Sequence, residues 1–313
     1  MCLYTTYIVN PKYKPNKKNK GKPPKCTDKR LYYVPVSCGH CIECRKKKAR
    51  EWKLRLLEEV RAHTDALFIT LTLSNKSLKE LTEKGCTTDN EKAAKAVRLW
   101  LDRVRKSKGH SIKHWLITEL GEENNRIHIH GILWNCTKED VNKWQYGFTY
   151  IGKYVNDRTM KYITKYMLKM NPKDRTYTPK IMCSSNIGLA YMYREETIEK
   201  NFYKPNGETD ETYRDRQGTK CILPDYWRHK IYTEEEREKL WIEKQEKGER
   251  WILGQRVNID NEEEYQAILK AAQRINDRLE NKTDEEWNKE KHIKKLKRMR
   301  EYIKNYYKKS VNK

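Results

Sequence analysis

The sequence has little that would place it in a membrane or carry it out of a cell. No apolar run approaches the ~18 residues that span a bilayer; the longest near-candidate, Leu67 to Leu73, contains two threonines. No basic-then-apolar leader with a small-residue cleavage site opens the chain, so secretion by that route is not expected and a soluble cytoplasmic protein is. There is no Gly-x-x-x-x-Gly-Lys-[Ser/Thr] phosphate loop, which excludes a Walker-type ATPase, and there is no internal repeat. Apolar residues are scarce: 36% of the 313 residues are hydrophobic even with 21 tyrosines counted, against ~45–50% in an average domain. One modest core with solvated basic flanks fits this composition better than two full cores.

What the chain has in excess is positive charge. Its 68 Lys and Arg against 44 Asp and Glu leave a formal +24, the footprint of a protein that meets polyphosphate. Nucleic acid is the expected partner rather than an anionic membrane, because no basic helix with a Trp/Phe/Leu face stands out. Nine cysteines are an odd count in a chain without a leader, so thiols or metal ligands are expected rather than a disulfide framework.

The pattern along the chain predicts an extended, flexible basic arm over residues 10–30 and a Cys-rich segment ending at Cys44. A helix follows from about Arg45 to His63, with Trp52, Leu56, Leu57 and Val60 at helical spacing. Ala66 to Leu73 alternates as a strand, residues 91–106 read as an amphipathic helix, and strands are expected near His114–Glu119 and Ile127–Trp134. A further helix opens at Asn156 or Asp157 and stops before Pro172. Residues 172–230 carry no clean period. From about Thr233 the chain is charged and helical, and from Lys289 it holds eleven Lys or Arg against two Glu, a solvated face that attracts nucleic acid. The divisions are 1–44 for the arm and Cys-rich segment, 45–175 (extending to about 230) for a central domain, and 231–313 for the helical C-terminal region.

Two stretches carry chemistry. In Arg126-Ile127-His128-Ile129-His130-Gly131 the side chains alternate, so His128 and His130 share the face opposite Ile127 and Ile129. A hairpin turn at Asn124-Asn125 sets Glu119 across from His130; a turn one residue earlier sets it across from His128. Either register brings Glu119 to the histidine face. Two imidazoles and a carboxylate suit Mg²⁺ or Mn²⁺, with open positions for a phosphate oxygen. The plainer reading is a pair of surface histidines. In the second stretch, Tyr162 and Tyr166 lie one turn apart on a helix whose Met160, Ile163, Met167 and Met170 form a docking stripe. A phenol of pKa ~10 needs its charge stabilised to act as a nucleophile, and Lys165 and Lys169 are near enough in sequence to do so; an ordinary exposed lysine is the alternative for Lys165.

A His-x-His strand followed by a Tyr-x-x-x-Tyr helix resembles the HUH endonucleases that start rolling-circle replication. Phe68-Ile69-Thr70-Leu71-Thr72-Leu73-Ser74 is similar to their first motif, and Thr118-Glu119-Leu120-Gly121 to the segment supplying the acidic ligand. Cys38-Gly39-His40-Cys41-Ile42-Glu43-Cys44-Arg45 opening a basic helix with Arg50-Glu51-Trp52 resembles replication initiation proteins of microviruses, particularly the gokushovirus group. The resemblance covers residues 30–170. It implies an RRM-like, ferredoxin-like α+β palm with an antiparallel sheet, extended by the N-terminal Cys-containing segment and the charged helical C-terminal region. It further implies that His128, His130 and Glu119 hold Mg²⁺ or Mn²⁺ and that Tyr162 or Tyr166 attacks single-stranded origin DNA. Strand transfer between the tyrosines would then close circles. Lys165 would assist catalysis, and Arg126, Lys161 and Lys169 would meet the DNA. The implied partners are a host helicase and DNA polymerase, in the cytoplasm of a bacterial host. On this reading Thr70 and Thr72 lie beside the metal-bearing strands in a structural role.

Cys38, Cys41 and Cys44 form two overlapping Cys-x-x-Cys pairs, which Cys26 or Cys2 would complete as four thiolates around structural Zn²⁺. This is half of a zinc signature, and free thiols at the edge of the palm are the alternative. A non-catalytic basic DNA- or RNA-binding protein with a zinc knuckle would use the same charge and cysteines, but has no use for Glu119, His128, His130, Tyr162 and Tyr166 together. A plasmid or transposon enzyme of the same chemistry remains open. Conjugative relaxases fit less well, since they usually carry the tyrosine before the histidines.

Overall fold

A computed structural model describes residues 1–121, 125–152, 154–169, 177–215 and 218–280, with the backbone alone at residues 196, 197 and 280. Met170, the helix stop at Pro172 and the basic tail from Lys289 lie outside the described residues. In chain order, β1 (Thr6–Val9) and β2 (Tyr33–Val36) precede α1 (Ile42–Ala62), β3 (Leu67–Thr72), α2 (Asn75–Glu83) and α3 (Asp89–Lys108). Then come β4 (Lys113–Leu120), β5 (Ile127–Trp134), α4 (Lys138–Asn142), β6 (Thr149–Ile151) and α5 (Asp157–Thr164). The stretch that carried no period contains β7 (Ile181–Cys183), α6 (Glu195–Ile198), β8 (Thr212–Arg214), β9 (Lys220–Ile222) and α7 (Asp225–Ile231). The chain continues through α8 (Glu234–Glu246), β10 (Glu249–Ile252), β11 (Gln255–Asn258) and α9 (Glu262–Glu280). No described helix is long and apolar enough to cross a membrane.

Contacts divide the chain into two compact units, Lys48–Ile231 and Met1–Lys47 together with the segment from Tyr232 onward. The central unit is α+β, as expected, built on a five-stranded sheet in the order β6-β3-β5-β4-β7 with every neighbour antiparallel. Strand alternation explains its two faces. Ile69, Leu71, Ile127, Ile129 and Leu133 point to one side, where Ala93, Ala96, Val97, Trp100 and Val104 of α3 cover them. A Thr88–Glu91 capping box starts α3, and Gly109 at φ 76° ends it. Trp100 is fully buried and donates its indole N–H to the Asp140 carbonyl at 3.1 Å. Trp100→Ala is therefore expected to cost about 3–5 kcal/mol, measured as a lowered denaturation midpoint. Gly131 sits on this face because a Cβ there would lie 2.3 Å from Leu116 Cδ2 and 2.5 Å from the Trp115 carbonyl oxygen.

The other face carries Phe68, Thr70, Thr72, His128, His130 and Glu119. At its β4 end Trp115 packs on Trp52 of α1, ring centroids 5.7 Å apart. Two carboxylates of α1 are buried with their charges met: Glu58 accepts from Arg61, Arg194 and Tyr213, and Glu59 from Lys113 and the Gly188 N–H. Arg194, Tyr213 and Gly188 lie in the stretch whose sequence shows no period.

The terminal unit pairs β1 with β2 and β10 with β11, and buries Cys2, Leu3, Cys41, Ile252, Leu253, Val257, Ile268 and Ala272 together. Residues 10–30 are not the extended arm that composition suggested. They fold into turns, with Lys12 ion-paired to Glu238 at 2.7 Å and Arg30 to Glu246 at 2.7 Å. The acidic α8 offers a local partner for a basic segment, which a reading of the segment alone misses.

Candidate active site

Positions on β3, β4 and β5 assemble the site. The ladder sets Glu119 opposite His128, the second of the two registers considered, and Thr70 and Thr72 opposite His130 and His128. Glu119 Oε2 lies 2.8 Å from His130 Nε2, while Lys169 donates to Glu119 Oε1. Burial pushes the Glu119 carboxyl up, but the bonds from His130 and Lys169 outweigh it and hold the group below its usual range. Lys169, expected to face DNA, thus turns inward. The helix tightens into a 3₁₀ turn at Lys165–Met167, just before this lysine.

His128 and His130 stack with centroids 6.1 Å apart. Burial, then the neighbouring His130, lowers the His128 pKa, which keeps its ring neutral and able to ligate. Among the described residues, Glu119, His128 and His130 do not form a group with every ligand atom within 4.8 Å; the four cysteines treated below do. The trio shares a face, with one nitrogen of His130 engaged by Glu119. A cation placed there would replace that hydrogen bond and the charge of Lys169, and the donor set of two imidazoles and a carboxylate fits Mg²⁺ or Mn²⁺.

Thr70 has a larger part than its sequence suggested. Its Oγ1 lies 3.0 Å from His130 Nδ1. By accepting from Nδ1–H, Thr70 would favour the tautomer whose Nε2 can ligate once a cation displaces the bond to Glu119. Thr70→Val is expected to lower divalent-cation affinity by 10- to 100-fold, read by titration calorimetry, with no comparable change in stability. Gly121 is a second such position: a Cβ there would stand 2.9 Å from His128 Cε1. Gly121→Ala should turn the imidazole aside, weakening the same affinity while the fold survives.

α5 brings the tyrosines over this face. Asn156 caps it through the backbone N–H groups of Arg158 and Thr159, and Met160, Ile163 and Met167 are buried, as the predicted stripe requires. Tyr166 is 3% exposed and stacks on His130 at 4.4 Å and 12°. Tyr162 is 43% exposed, and the two phenol oxygens lie 2.5 Å apart. Burial, then the bond to Tyr162 and the charge of Glu119, hold the Tyr166 phenol far above its ordinary pKa. Lys165 Nζ sits 4.2 Å above the Tyr162 ring. Lys161 and Arg126 are exposed, and Arg126 donates to Asn75 Oδ1 at 2.8 Å.

The terminal unit holds a second cluster. Cys2, Cys38, Cys41 and Cys44 bring their sulfurs within 4.8 Å of one another and could hold a metal ion. Cys26 is not among them: its Sγ lies 3.1 Å from the Asp28 carbonyl oxygen, and Cys2 completes the set instead. The Cys38–Cys44 separation of 3.9 Å matches the ~3.8 Å that tetrahedral Zn–S bonds of ~2.3 Å require. Backbone N–H groups of Cys38 and Tyr4 point at Cys2 Sγ, and those of Leu3 and Cys41 at Cys41 Sγ and Cys38 Sγ. Burial works to raise the Cys2 thiol, but those backbone bonds and its cysteine neighbours bring it down to about 7, while burial raises Cys38 and Cys44.

Residues 66–171, which hold the histidines and both tyrosines, match the Replication-associated protein ORF2 family. The chain is also 28% identical over 194 residues to the Replication-associated protein ORF2 of Spiroplasma virus 4, covering 53% of this chain and 59% of that protein. It is 25% identical over 208 residues to the Replication-associated protein VP4 of Bdellovibrio phage phiMH2K, covering 57% and 65%. The resemblance to phage replication proteins holds. The matches span about three fifths of those relatives' lengths. No solved structure matches.

Proposed function

We propose that this chain is a rolling-circle replication initiator of the HUH type, a nickase and strand transferase acting on single-stranded origin DNA of a phage in its bacterial host. The observation that carries the reading is the phenol pair in which Tyr166 stacks on His130 and its hydroxyl meets that of Tyr162, on the face that also holds Glu119 and His128. A non-catalytic binder has no use for two hydroxyls placed there. The strand order β6-β3-β5-β4, with α2 and α3 after the first strand and α4 between the third and fourth, supports an RRM-like palm.

His128, His130 and Glu119 would hold Mg²⁺ or Mn²⁺, which when bound supplies a Lewis acid to a phosphate oxygen. The exposed Tyr162 is the first nucleophile. Its oxygen bonds to phosphorus as the P–O3′ bond breaks, the phenol proton passing to the departing 3′-oxygen. The products are a 5′-phosphotyrosine and a free 3′-OH for a host polymerase. Lys165, above the Tyr162 ring, favours the developing phenolate charge. Tyr166, whose hydroxyl already touches that of Tyr162, attacks in the second cut, and exchange between the two closes a circle. The lack of a Walker loop leaves unwinding to a host helicase. In the terminal unit, Cys2, Cys38, Cys41 and Cys44 would hold Zn²⁺ in a structural role.

The test mixes the protein with labelled single-stranded origin DNA and Mn²⁺ on a denaturing gel, beside Tyr162→Phe, Tyr166→Phe and the double variant. A covalent band reduced most by Tyr162→Phe and absent from the double variant is expected. Tight binding with no adduct on any strand would sink the nickase and leave a binder.

A further inference from the structure

Beside the histidine face, at the edge of the sheet, lies a feature that the cleavage chemistry does not use. β6 is the outermost strand. Its Tyr150 pairs with Thr70, which pairs in turn with His130. Ile151 packs on the core cluster behind the sheet, so Tyr150 stands on the side of the histidines. Phe148, just before the strand, continues the ladder, its backbone carbonyl accepting from Thr72 N at 2.9 Å and its N–H donating to Thr72 Oγ1 at 2.9 Å. Side-chain alternation gives it the face of Tyr150. Both rings are in water, Phe148 at 69% and Tyr150 at 52% exposure. Edge strands are ordinarily blunted with charge, and two bare rings two residues apart are a poor guard against aggregation.

We infer that Phe148 and Tyr150 form a stacking platform for unpaired bases next to the scissile phosphate, an inference that rests on the single-stranded DNA reading above. The rings stand about two strand spacings, roughly 10 Å, from the His130 strand, close enough for nucleotides flanking the cut. Phe68, on the same face as Thr70 by alternation, stands between this edge and the nucleophile. Phe68 accepts from Gly152 N–H immediately after β6, and its ring meets Tyr162 edge-on at 6.1 Å. A Cβ at Gly152 would lie 2.8 Å from Phe68 Cδ1, so the absent side chain keeps that ring in place. Lys161 and Lys165, exposed on the neighbouring helical segment, supply positive charge for the backbone of the same strand. The occupant is single-stranded because only unpaired bases offer free faces to a ring, and stacking of this kind tolerates any sequence.

The experiment follows anisotropy of a labelled dT oligonucleotide and of a DNA duplex with the full chain, without divalent cation, across a salt series. Phe148→Leu with Tyr150→Leu is expected to weaken dT binding by about tenfold or more. Duplex affinity and the salt slope should be unchanged, since stacking releases no counterions. Phe148→Trp with Tyr150→Trp should bind dT as the parent does. Unchanged dT affinity in the leucine pair overturns the platform, as does equal weakening on duplex or equal loss in the tryptophan pair. If the parent forms the covalent adduct while the leucine pair retains dT normally, the platform alone falls. If the parent fails to bind dT at all, the nuclease reading falls with it.

Discussion

His130→Ala is expected to lower the rate of covalent adduct formation about a thousandfold while leaving retention of single-stranded DNA nearly intact. The ring meets three groups that matter: Thr70 Oγ1 at Nδ1, Glu119 at Nε2, and the face of Tyr166. Removing it deletes one of the three proposed ligands and the support under Tyr166. If the ion contributes about 4 kcal/mol to the cleavage barrier, its loss corresponds to about three decades in rate. The phosphate contacts proposed for Lys161, Lys165 and Arg126 do not involve this ring, so affinity and its salt slope should survive. His128→Ala should act in the same direction. Single-turnover gels at several Mn²⁺ concentrations make the measurement. A parallel fall in binding and in thermal stability would mean that the histidines serve the fold, and the catalytic reading would be abandoned.

The second large effect concerns the cysteines. The purified chain is expected to carry one zinc, and stripping it, or changing Cys38 to Ser, should unfold the unit formed by Met1–Lys47 and the segment from Tyr232 onward. Structural zinc in small domains contributes an apparent ~10–16 kcal/mol, as much as the ~5–15 kcal/mol by which a whole domain is ordinarily stable. The sulfurs also lie within the cluster that includes Ile252, Leu253 and Val257, so losing the ion loosens that core. The Cys2 thiol, at about 7, must be deprotonated to ligate. Zinc affinity should therefore fall as pH drops, first above neutrality where the raised Cys38 and Cys44 thiols take up protons and further through about 7 where Cys2 does, because protons compete with the ion for sulfur. Elemental analysis together with calorimetry before and after chelation checks this. Cys26→Ser is expected to change neither zinc content nor the melting profile, and an equal loss there would reinstate Cys26 as the fourth ligand. A zinc content near zero would end the proposal.

The motifs that were legible in the sequence are local. Alternation in Ile127-His128-Ile129-His130 is a property of any strand, and the expected histidine face is the face observed. Both hairpin registers considered kept Glu119 with the histidines because a two-residue shift preserves side-chain parity. Four-residue spacing placed Tyr162 beside Tyr166, and Met160, Ile163 and Met167 are buried as their spacing predicts. Helix and strand patterns recovered α1, β3, α3, β4 and β5 within a few residues, and apolar positions of β3, α3, β4 and β5 meet in one core cluster.

What the sequence could not settle depends on segments that meet across long separations. Cys2 rather than Cys26 joins the other three thiols because β1 pairs with β2 and returns the first residues to the Cys-rich segment. The basic stretch of residues 10–30 is held by an acidic helix more than two hundred positions away. Lys169 meets Glu119 across a separation of 50 residues, a contact that only the packing of its segment on the sheet decides. Thr70 becomes a partner of His130, and Tyr150 a neighbour of the site, through the order in which strands pair. Single-sequence periodicity reports which face of an element is apolar. It carries no record of which element lies next to it, so the ligand candidates were determined by the sequence, while their orientation, their fourth thiol and the aromatic edge beside them were decided by tertiary packing.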